Sequence, residues 1–135
     1  MLHIEIKTIL HNKQLYNTVG CHFEKEGDGF ITVSDLGNWK YEILVAIHEF
    51  VEQSLCLAHG ITTEKMIAFD KQFDKFRTEE KPLEPGNDPA APYHKEHIVA
   101  TSFEKIMAKE LEIDWNEYNQ YIDKVYSKAI HDKLF

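Results

Sequence analysis

The stretch that most constrains this 135-residue chain is VAIHEFVEQSL, Val45 to Leu55. It lies inside a helical pattern running from about Trp39 to His59, with Asn38 placed as an N-cap and Gly60 as a stop. At roughly 100° per residue, Leu44, Val45, Val51 and Leu55 fall on one broad apolar face. His48 and Glu52 lie in the middle of that face, four residues apart, so their side chains stack. Tyr41 and His59 extend the stripe, Glu49 sits at its border, and Glu42 and Gln53 are expected on the polar side. Burying an unpaired carboxylate costs several kcal/mol even after relaxation. The fold must therefore bring a partner to this helix: a cationic side chain, a proton, an imidazole or a metal ion.

The chain before this helix reads as β structure, and the chain after it reads as helix. Leu2, Ile4 and Ile6 alternate with His3, Glu5 and Lys7, the period-2 pattern of a half-buried strand. LYNTVGCHFEKE supplies a second strand, GDG (Gly27 to Gly29) a turn, and FITVSDLG a β-branched third strand. Residues 2–36 are thus expected to form two or three antiparallel strands, with the hairpin 19–34 the best defined part. Further helices are expected over about 62–78, 91–111 and 114–131. In the first of these, Ile61 and Met66 are set for a hydrophobic staple, and Met66, Phe69, Phe73 and Phe76 form the apolar stripe. The loop 79–91 carries prolines and a glycine that forbid regular helix. Trp115, Tyr118, Ile122 and Val125 line one side of the last helix. Strands first and helices after point to a single α+β domain of 1–135.

Composition narrows the function classes. The formal net charge is −8, with no Lys/Arg cluster, which argues against nucleic acid and against an anionic membrane surface. No apolar run approaches the roughly 18 residues of a spanning helix, so a cytoplasmic protein is expected. Cys21 and Cys56 are isolated, and Cys56 fits an apolar helix face as a small core residue. Cys21 and His22 are neighbours on a strand and point to opposite faces, which disfavours a thiol–imidazole pair.

Eight histidines in so short an acidic chain are unusual. PYHKEH places His94 and His97 in the first turns of the third helix, whose buried side is expected to carry Val99, Ala100, Phe103, Ile106, Met107 and Leu111. His97 and Glu104 share an edge of that side. In the second helix, Asp70 lies between Met66 and the polar face, with Asp74 one turn on. Three helices therefore each offer an acid or imidazole near the inward side. Together they point to a divalent metal site, zinc being the expected ion, with His48, Glu52 and His97 as first candidates and His94 and Asp70 after them.

HEFVE, His48 to Glu52, resembles the active-site helix of zincin metallopeptidases, whose signature is HExxH. By this resemblance His48 is a ligand, Glu49 is the base that takes a proton from metal-bound water, and FITVSDLG is the edge strand that holds substrate. Glu52 stands where the second histidine belongs, so the third ligand has to come from PYHKEH. Glu49 and Glu52 also form an ExxE pair that resembles the MazG-type nucleotide pyrophosphohydrolases, which implies magnesium and acids from the next helix, Asp70 or Asp74. The layout as a whole also resembles small proteins of viral and bacterial genomes, a likeness that implies no activity. The expected function is metal-dependent hydrolysis of a small substrate or peptide, with the loop 82–92 bordering the cleft as a lid. The alternatives are a MazG-like pyrophosphohydrolase and a non-enzymatic acidic binding protein with a structural His/Glu core, which would engage a basic partner or a second copy of itself.

Overall fold

A computed structural model describes residues 2–78 and 84–135. Three strands, β1 (Ile4–Ile9), β2 (Gly20–Lys25) and β3 (Asp28–Ser34), precede four helices. The helices are α1 (Trp39–Ala58), α2 (Thr63–Lys75), α3 (His94–Glu110) and α4 (Trp115–His131). The fold is α+β, as the order of patterns requires.

The β2–β3 hairpin turns at Glu26 and Gly27, both at positive φ, the geometry of a tight hairpin whose twist matches its strands. β1 departs from expectation. It pairs with β3 in parallel rather than antiparallel, giving the sheet order β1-β3-β2. The connection from β1 to β2 is long enough to return the chain and leave a gap that β3 fills. It is tied down where the His11 ring hydrogen-bonds to Ser34 Oγ (2.8 Å) and Asn17 Oδ1 (2.9 Å). β3, with Ile31 and Val33 buried, takes the centre, and β1 becomes an edge whose Ile6 stays exposed. The strand expected to be a free edge is therefore paired on both sides.

α1 begins where Asn38 Oδ1 accepts the Lys40 and Tyr41 amides, and it ends at His59 before Gly60 at positive φ. It lies against β2 and β3 on one side and α3 on the other. Ile31, Val33, Leu44, Val45, Tyr118 and Ile122 form the main core between sheet, α1 and α4. Gln53, expected on the polar side, is buried, and its amide donates to the Phe23 carbonyl (3.1 Å). A smaller cluster joins Cys56, Met66, Ala91 and Tyr93, with Ile61 stapled beside Met66. Phe76, by contrast, caps α2 in an exposed position.

α3 presents a face that hydrophobic periodicity does not select. Its buried residues are Glu96, His97, Ala100, Glu104 and Ala108, whereas Val99, Phe103 and Ile106 are exposed. Two alanines let α1 and α3 approach closely, and the acids and imidazole between them are paired across the interface. The helix starts at His94 rather than at Ala91 or Pro92, because residues 84–93 are taken up by a 3₁₀ turn at Pro85–Asn87 and the bend after it. Residues 79–83, including Pro82 of the expected lid, lie outside the described residues. Among those described, no helix is long and apolar enough to cross a membrane.

Candidate metal centre

His48 and Glu52 leave α1 toward a cavity of about 40 Å³ lined by β2, the four helices and the turn at Pro85–Asn87. That is room for roughly two or three water-sized occupants. His97 enters it from the first turn of α3. Three atoms converge there: His48 Nε2, His97 Nδ1 and Glu52 Oε2. Their separations are 3.0 Å (His48–Glu52), 3.1 Å (His48–His97) and 2.9 Å (His97–Glu52).

The outward nitrogens of both rings decide what these inner atoms are. His48 Nδ1 lies 2.8 Å from Glu104 Oε1, and a carboxylate only accepts, so Nδ1 carries the hydrogen. His97 Nε2 lies 3.1 Å from the Asn87 side-chain carbonyl and 3.4 Å from Glu84 Oε2, and donates there in turn. Glu104 is itself fixed by the Tyr118 hydroxyl (2.6 Å). In the neutral rings, therefore, His48 Nε2 and His97 Nδ1 both aim lone pairs at the same point as Glu52 Oε2. Imidazole held from behind by a carboxylate or carbonyl is the arrangement that orients metal-ligating histidines.

Three acceptors so close together repel unless positive charge lies between them. The acid–base balance shows how strongly the cluster draws it. Burial alone would depress the His48 imidazole, but hydrogen bonds to Glu104 and Glu52 hold it well above the ordinary value. Burial likewise opposes charge on His97, yet Glu52 and Glu84 raise it to about 9. Burial would push the Glu52 carboxyl up, and hydrogen bonds from His22, His48 and His97 instead hold it well below the carboxylate range. A divalent ion would replace those protons at one centre. Bonds of roughly 2.1 Å put adjacent donors about 3.0 Å apart in an octahedron and about 3.4 Å apart in a tetrahedron. The observed triangle matches the first without movement and the second after an outward shift of a few tenths of an ångström.

The other residues expected at the site fall in different places. Glu49 is buried and faces the same cavity; burial and the neighbouring Glu52 charge push its carboxyl up to about 7. Asp70 lines the far wall and accepts hydrogen bonds from the Tyr16 and Tyr93 hydroxyls. Its carboxyl is raised to about 6 by burial, against those hydrogen bonds. It stands outside the triangle of ligand atoms. His94 turns away and hydrogen-bonds through Nδ1 to the Gly86 carbonyl (2.8 Å), so it anchors the turn rather than the cavity. Asp74 is 3.5 Å from Arg77 Nη1 and does not line the cavity.

Sequence reasoning missed His22 as a site residue. Its Nε2 is 3.1 Å from Glu52 Oε1, the oxygen turned away from His48 and His97. The signal was present in the hairpin: register pairs His22 with Ile31 and Gly20 with Val33, which puts His22 on the face that packs on α1. Gly20 permits this approach, since a Cβ there would come within 2.8 Å of Glu49 Oε1. Gly86 plays the same part on the opposite wall, where a Cβ would lie 2.3 Å from His97 Nδ1.

No protein-family model, no curated protein and no solved structure matches the chain.

Proposed function

We propose that the protein is a metal-dependent hydrolase in which His48, Glu52 and His97 hold one divalent ion, zinc in the first instance. The carrying observation is the convergence of three donor atoms at 2.9–3.1 Å with both imidazoles fixed from behind by acceptors. Two imidazoles and one carboxylate leave coordination positions for water and substrate, the hallmark of a catalytic rather than a closed structural site. Such an ion lowers the pKa of bound water toward neutrality. Glu49 faces the same space with a carboxyl near 7, suited to accepting that proton at neutral pH. A peptide added as a strand to β3 is not the binding mode, because both edges of β3 are paired.

A structural polar core is the competing reading, favoured by one fact: Glu52 already accepts hydrogen bonds from three imidazoles. Elemental analysis of the purified protein separates the two. Zinc at one equivalent or more, reduced in His48→Ala, supports the metal site; absence of any transition metal under metal-replete expression would sink it. With metal present, hydrolysis of a phosphoester and peptide panel that survives Glu49→Gln unchanged would leave the ion a structural role.

A further inference from the structure

Glu52 is a two-sided ligand. Its Oε2 faces His48 and His97, and its Oε1 faces His22. One donor atom each of His22, Glu49 and Glu52 lies within 4.8 Å of the other two, so a second three-residue group shares Glu52 with the first. All three are buried.

Glu49 has no account in a one-ion site: it is only 9% exposed, lines the cavity and has no hydrogen-bond partner among the described residues. His22 is buried and turns Nε2 toward the same carboxylate pair, 3.1 Å from Glu52 Oε1. A carboxylate that faces a small cavity without a partner is open to a cation there. The charge census agrees. Among the described residues, the cavity wall carries five carboxyl groups (Glu49, Glu52, Asp70, Glu84 and Glu104) and three imidazoles, with no lysine or arginine. A single divalent ion leaves that wall in negative excess, and a second brings four positive charges against five acids.

We infer that the cavity takes a second divalent cation, held by His22, Glu49 and Glu52, with the Glu52 carboxylate bridging the two ions. This rests on the first-ion reading above and deepens it. A cation on Glu49 would hold it as the carboxylate, so in the two-ion site its part would be to carry the second ion, and the two ions together would activate water. Two ions joined by a carboxylate can stabilise both the attacking and the leaving oxygen of a displacement at phosphorus, which selects phosphoesters as the substrate class to try first.

The test is calorimetric titration of the metal-free, full-length protein with Zn²⁺, with Co²⁺ absorption as a second readout and circular dichroism to verify folding. Two equivalents are expected in the wild type. Glu49→Gln, which keeps the side-chain shape, and His22→Ala should each bind one, with the Co²⁺ spectrum of the first site retained. One equivalent in the wild type, removed by His48→Ala but untouched by Glu49→Gln and His22→Ala, would overturn the second site and leave the first standing. Two equivalents that survive both variants would also overturn it, since the second ion would then sit elsewhere. No binding at all would overturn both readings.

Discussion

Replacing Glu49 by Gln in the metal-free protein removes a charge and little else. Burial and the Glu52 charge move the Glu49 carboxyl from 4.5 to about 7, so the fold favours its neutral form. This contribution to stability is fully present below pH 4.5, where the group is protonated in folded and unfolded chains alike. It is lost as pH rises through 7, where the buried group must ionise. The gap between 4.5 and about 7, at about 1.4 kcal/mol per pH unit, corresponds to about 3 kcal/mol. Gln does not titrate. Relative to wild type, Glu49→Gln should therefore gain about 3 kcal/mol between pH 4 and pH 8 in chelator. Urea denaturation followed by circular dichroism reads this as a midpoint shift of about 1.5 M, for an m-value of roughly 2 kcal/mol/M. A difference between the two proteins that stays constant from pH 4 to pH 8 would refute the placement of Glu49 as a buried carboxyl without a partner.

Other outcomes rest on the same geometry. Glu104→Gln weakens the acceptor behind His48, and zinc affinity by calorimetry should fall about 10–100-fold while the fold, by circular dichroism, is kept. Uptake of the first zinc equivalent at pH 7 should release about two protons, because His48 and His97 hold theirs above neutrality in the metal-free protein; titration in buffers of different ionisation heat counts them. Gly86→Ala places a methyl 2.3 Å from His97 Nδ1, so turn or ring must move, and zinc affinity should drop at least about tenfold with unfolding otherwise cooperative. Leu44→Ala, at a fully buried core position away from the ligands, should cost about 2–5 kcal/mol in urea denaturation.

Much of the site on α1 was legible because its signal is local. His48 and Glu52 share a face with Leu44 and Val45, and a four-residue step on a helix leaves them little choice but to point together. The cap at Asn38 and the staple of Ile61 and Met66 were legible for the same reason, each being satisfied within a few residues, and the hairpin turn was legible to within a residue, falling at Glu26–Gly27 rather than Gly27–Gly29. The aliphatic pattern of α3 predicts the opposite face, and the helix buries its acids and imidazole instead. Val99, Phe103 and Ile106 would have been the cheaper residues to hide, but Glu104 and His97 find partners on α1 and Tyr118 that solvent would not replace at that spacing.

The sequence by itself determined the order of elements, the hairpin, and an ionisable couple sunk in the apolar face of α1, because periodicity and capping act over one or two turns. Only the tertiary structure decided that β3 takes the centre of the sheet, that His22 comes across to Glu52, and that Gly20 and Gly86 press backbone against the cavity. Those outcomes depend on contacts between residues far apart in the chain, which are set by the shared packing of sheet, α1 and α3; the hairpin register marks only the face that His22 takes, not the partner it meets there.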